Sequence, residues 1–130
     1  MSMVHDNTIE SYSVDYENEL LVIKTRYNYT DTPEKTNVVF HGYLFHIFYS
    51  EMNGSTIFDI VESPLSVFFE KEHESLNRLK KHDSFIMSKS AHDLKCYLGE
   101  NNLKAFYISS VHGLYGWVIA KEMEIKVKIS

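Results

Sequence analysis

Alternation is the first pattern along this chain. From Ile9, Tyr12, Val14 and Tyr16 take turns with Ser11, Ser13 and Asp15. A period of two sends successive side chains to opposite faces of a β-strand. Glu17-Asn18-Glu19 reads as a turn. Leu20–Tyr29 reads as a second strand, with Leu21, Ile23, Thr25 and Tyr27 on one face and Leu20, Val22, Lys24 and Arg26 on the other. Thr30-Asp31-Thr32-Pro33-Glu34 has the composition of a loop. Two apolar runs follow, Asn37–Ser50 and Thr56–Val61, on either side of Asn53-Gly54. An Asn-Gly pair between such runs predicts a hairpin, because both positions of its tight turn need φ > 0.

The period changes at Ser63-Pro64. Ser63 suits an N-cap and Pro64 the first helical position, where a missing N–H costs nothing. Leu65, Phe68, Phe69, Leu76 and Leu79 then form an apolar helical stripe. Glu70, Glu72 and Glu74 precede Arg78, Lys80, Lys81 and His82, an order that suits the helix dipole. Ser90 with Asp93 opens a second, short helix through Ala91, Leu94, Tyr97 and Leu98, with Gly99 as its expected αL cap. Leu103–Ser110, Trp117–Ala120 and Ile125–Ile129 return to strand, and Lys126 and Lys128 would protect a terminal edge. The expected fold is α+β: one domain over residues 1–130, frayed over 1–8. Its mainly antiparallel sheet has five to seven strands, with two helices inserted after the fourth.

A two-residue turn at Asn53-Gly54 would set Phe48 opposite Asp59. One face would then carry Tyr43, Phe45, Ile47, Tyr49, Phe58 and Ile60, and take the helices. The other would carry Phe40, Leu44, His46, Phe48, Ile57, Asp59 and Val61. His46 and Asp59 become diagonal neighbours, about 5–8 Å apart at Cβ. A one-residue slip would part them. The pair reads first as a structural hydrogen bond, second as a ligand contact or acid/base couple. Phe40, Leu44, Phe48 and Val61 form an apolar surface that something must cover, which suggests an interface or a homodimer.

Composition narrows the function. The chain has 130 residues, 44% hydrophobic and 14% aromatic, which is ample for a core without staples. A net charge of −5 with no dense basic patch argues against nucleic acid. One cysteine, Cys96, permits no internal disulfide and suits a reducing, cytoplasmic setting. The first residues do not read as a signal peptide, and no apolar run is long enough for a membrane span. The seven histidines lack a ligand spacing: His41 and His46 fall on opposite faces of a strand, and His73 and His82 on different sides of a helix. Neither metal nor cofactor is expected. Ser109, Ser110 and His112 lead through two glycines to Trp117, the only tryptophan, and could form a small recognition turn. Its glycine spacing is not that of a phosphate loop.

The strings His41-Gly42-Tyr43-Leu44-Phe45-His46 and Gly113-Leu114-Tyr115-Gly116-Trp117-Val118-Ile119-Ala120 resemble those of a family of small, uncharacterised α+β proteins from Gram-positive bacteria. That resemblance implies no activity. In size and acidity the chain is also similar to immunity proteins that neutralise toxins. The leading expectation is a non-catalytic protein-interaction or self-associating protein, whose acidic charge favours a basic partner such as a nuclease toxin. The second is a small-ligand binder or enzyme, with a pocket using His46, Asp59 and His112.

Overall fold

A computed structural model describes residues 4–29, 31, 34–80 and 91–128. Eight strands and two helices run in the order β1 (Thr8–Asp15), β2 (Leu20–Tyr27), β3 (Glu34–His41), β4 (Phe45–Tyr49), β5 (Thr56–Ser63), α1 (Leu65–Lys80), α2 (Ala91–Glu100), β6 (Lys104–His112), β7 (Tyr115–Ala120) and β8 (Glu122–Lys128). The expected fold is therefore corrected on two counts. Among the described residues there are eight strands, and the helices follow the fifth. One residue accounts for both differences. Gly42, at φ +66°, breaks the apolar run Asn37–Ser50 into β3 and β4.

The strand order is β4-β7-β6-β5-β1-β2-β3-β8, with every pairing antiparallel. Its two ends meet. β3 runs through Gly42 into β4, and β7 runs through Lys121 into β8. Leu44 N–H donates to Ile119 O, and Lys121 N–H to His41 O, so the β3–β8 and β4–β7 ladders join. The sheet thus closes on itself as a barrel-like ring. At the β1–β5 seam, Asp6 N–H donates to Ile57 O, Ile57 N–H to Asn7 O, and Ile9 N–H to Ser55 O. Val4 and Asn7 are buried there. Residues 4–8 are anchored where fraying was expected.

Closure decides what each face does. The inner face gathers Val4, Leu21, Ile23, Val38, Phe40, Tyr43, Ile57, Ile60, Phe106, Ile108, Leu114, Val118 and Ala120. The outer face of β4, β6 and β7 takes the helices: Trp117, Ile119 and Ala105 pack with Phe68, Leu76, Leu94 and Leu98. Two of the three register shifts in the ladders keep the inner face filled. Pairing shifts between Ile9 and Ser11 on β1, and around Phe58 on β5. Each adds one residue, so Ile9 and Tyr12, and likewise Ile57 and Ile60, point inward three apart instead of two.

The Asn53-Gly54 turn forms, but the strands beside it do not pair. Only Gly54 has positive φ, so the expected two-residue hairpin turn is absent. The edge of β4 belongs to β7, and β5 pairs with β6 and β1. The connection is instead fixed by Ser55, whose hydroxyl donates to Met52 O and accepts from Leu114 N–H. Helix α1 begins beside Pro64, whose carbonyl accepts from Val67 and Phe68. The αL cap of helix α2 falls three residues beyond the expected Gly99. Asn102 takes φ +59°, with Asn102 N–H bonded to Gly99 O and Leu103 N–H to Leu98 O, a Schellman closure.

The expected core splits accordingly. Phe45, Ile47, Phe68 and Leu76 meet under the helices, Ile60 lies inside the barrel, and Phe58 is 51% exposed. The side chain of Leu79 lies outside the described residues.

Candidate binding site

The site begins with a glycine. Gly116 on β7 stands opposite Phe48 on β4, at φ +147°. Without a side chain it lets the β4 backbone come close. Beyond it the pair ends at Tyr49 and Tyr115, which lie in register with rings stacked 5.3 Å apart at 28°. Trp117, two residues on from Tyr115, turns to the same outer face. Its ring packs edge-on to Phe68 of α1 at 5.3 Å.

Helix α1 brings a carboxylate to this corner. Glu72 lies one turn beyond Phe68 and one turn before Leu76, within the buried stripe, and is only 8% exposed. Trp117 Nε1–H donates to Glu72 Oε1 at 3.1 Å. The Tyr49 hydroxyl donates to Oε2 and also meets Ser75 Oγ at 2.7 Å. Both partners of Glu72 are neutral. Among the described residues none of the ion pairs includes it. A buried carboxylate without a countercharge is costly, and its two oxygens offer about four lone-pair positions, of which two are filled. Nearby, burial and then the charges of Tyr115 and Glu72 push the Tyr107 phenol up.

An open cleft of about 410 Å³ adjoins Glu72, walled by Tyr49, Tyr115 and Ser75 and by the exposed Glu70, Lys71, His73 and Glu74 of α1. The Lys71 ammonium sits 6.0 Å from the Tyr107 ring centroid.

The residues expected from sequence are dispersed. His46 is inside the barrel, against Tyr12, Tyr43 and Phe48. Asp59 is on β5, separated from β4 by β7 and β6. Its carboxylate accepts from Ile60 N–H, and its carbonyl from the Ser109 hydroxyl. The expected His46–Asp59 pair is therefore absent. His112 is exposed at the far end of β6, opposite Thr56. Ser110 closes its own turn by donating to Gly113 O. Only Trp117 touches the site, through its indole bond to Glu72. The four expected interface residues also separate: Phe40 and Phe48 face the barrel interior, Leu44 joins the helix-side cluster, and Val61 is exposed on β5. The signal for Glu72 was an acid on an apolar helical stripe, spaced by four from Phe68 and from Leu76.

A second polar cluster closes the barrel mouth. The Tyr43 hydroxyl bonds His46 Nδ1 at 2.8 Å, and the Tyr12 hydroxyl donates to Glu51. Burial raises both phenols to about 12; Glu51 adds to this for Tyr12. Burial holds the His46 imidazole below its ordinary value, against a smaller pull from Glu51. The sign follows. An unfolded histidine takes its proton near pH 6.5 (roughly), and the folded one only at lower pH. Between these values the unfolded state binds more protons, so stability rises with pH there. His46 thus withholds no stability above about pH 6.5, and stability is lost as pH falls through its folded value. Urea melts across this window should show the decline in the parent and a flatter profile in His46→Gln.

Among the described residues, no group of three or more His, Cys, Asp or Glu side chains is placed to hold a metal, and no helix is long and apolar enough to cross a membrane. Comparison with protein-family models, with curated proteins and with solved structures finds no match to this chain.

Proposed function

We propose that this chain is a non-catalytic binding protein that engages a protein partner through the cleft between α1 and the ends of β4 and β7. The observation that carries this reading is Glu72: a buried carboxylate held by neutral donors alone, beside an open polar cleft. Both oxygens are held by donors, which suits an anchor better than a group that must exchange protons. The net charge of −5 favours a basic partner, met in a reducing, cytoplasmic setting that the single cysteine suits. Self-association has less support than the sequence suggested, because three of the four residues that called for a second copy pack within this chain, Phe40 and Phe48 in the barrel and Leu44 with the helices. A pocket built on His46, Asp59 and His112 has less still, since those residues do not converge.

Photo-crosslinking in cells tests the reading. A benzophenone side chain replaces Tyr115 in one variant and Tyr29, an exposed residue past the end of β2, in another. The expected result is one discrete adduct with a basic protein, from position 115 only. The same adducts from both positions, or none from position 115, would overturn the cleft assignment. An adduct of twice the chain mass would replace the foreign partner by a second copy.

A further inference from the structure

We infer that the cleft takes a guanidinium group: an arginine side chain of a basic polypeptide, seated on the Tyr49–Tyr115 pair with its fork on Glu72. This rests on the cleft being the binding site. Glu72 supplies the first requirement, since among the described residues no cation lies within ion-pair distance of its buried carboxylate and lone-pair positions remain on both oxygens. A cation entering the cleft would gain a charge-assisted hydrogen bond in a partly desolvated place, where such bonds are strongest. The tyrosines supply the second. Tyr115 remains 38% exposed while stacked on Tyr49, and so offers an aromatic surface beside the carboxylate. A planar guanidinium can stack on a ring and fork onto a carboxylate at once, whereas an ammonium is a more strongly hydrated point charge. Glu70 and Glu74 on the cleft rim add negative potential. Lys71 and His73 oppose it in part. The cleft is open and polar, so it suits the tip of a side chain whose backbone stays outside better than a small molecule needing enclosure.

Trp117 makes the test direct. It is the only tryptophan, and its indole N–H is bonded to Glu72, so one NMR resonance reports on the carboxylate. The probes are the blocked amides of arginine, lysine and citrulline, and a short peptide with one arginine flanked by lysines. Arginine amide should shift the Trp117 resonance saturably. Lysine amide should bind about threefold more weakly or worse, and uncharged citrulline amide should leave the resonance unmoved. Glu72→Gln should weaken arginine binding about tenfold or more, and Tyr115→Ala about threefold or more while leaving Glu72 in place. The peptide should bind about tenfold more tightly than the free amide. Equal response to arginine and citrulline, or none to either, would overturn the guanidinium assignment, while a surviving cross-link from position 115 would keep the cleft as the partner site. Arginine amide binding as tightly as the peptide, with no cross-link, would overturn the polypeptide source and assign the cleft to a free guanidine.

Discussion

Gly116→Ala should cost about 4 kcal/mol or more of stability in urea melts. A Cβ at this position would lie 2.0 Å from Ile47 O and 3.0 Å from both Ile47 C and Phe48 Cα. These are backbone atoms of the neighbouring strand, so no side chain can swing aside. The φ of +147° adds strain of its own. Relief would require β4 to move off β7, and that ladder is one of the two that close the ring. The movement would also part Tyr49 from Tyr115 and disturb the Trp117–Glu72 bond, so any folded fraction should show an altered indole resonance. Gly54→Ala is the control. It has positive φ but nothing within 4 Å of its Cβ, so it should cost only about 1–2 kcal/mol.

Local rules made the elements legible and left their pairing hidden. The alternation of β2 puts Leu21, Ile23 and Thr25 on one face and Lys24 and Arg26 on the other, and the structure buries the first three and exposes the other two. The start of α1 at Ser63-Pro64 was equally readable. What failed were choices made between distant segments. Asn53-Gly54 signals a turn, but whether β4 then pairs with β5 depends on whether β7, more than sixty residues further on, takes that edge first. A single glycine can pass through a strand or bend it. At Gly42 it bends, and Lys121 bends the partner, and together these convert a two-faced sheet into a ring. Bulges are similarly silent: one extra residue at Phe58 reverses the faces predicted for β5. The site suffered from the same gap. From the sequence Glu72 is one of three acids that suit the helix dipole, because the indole and phenol that bond to it come from strands whose approach local rules do not predict.

Phe68→Ala should cost about 3–5 kcal/mol, whereas Phe58→Ala should stay within about 1 kcal/mol. Both residues belong to the core that the sequence predicts, Phe58 by strand alternation and Phe68 by the helical stripe, so a two-faced sheet with the sequence register would make both losses large. The closed sheet separates them. Phe68 has no exposed surface and packs against Phe45, Phe69 and Trp117, with ring centroids 6.1, 5.3 and 5.3 Å away. Its removal leaves a cavity at the contact that holds α1 to β4 and β7, and rigid helix and sheet can fill it only in part. Phe58 is half in solvent, with an edge contact to His5 at 5.1 Å. Parallel denaturant melts of the two variants decide the matter, and equal losses would mean that the bulge at Phe58 is not there. Phe68 also bears on binding. It sits one turn before Glu72, so loosening α1 should release the carboxylate toward water, and the Trp117 indole resonance should move toward that of a solvent-bonded N–H even in conditions where Phe68→Ala remains folded.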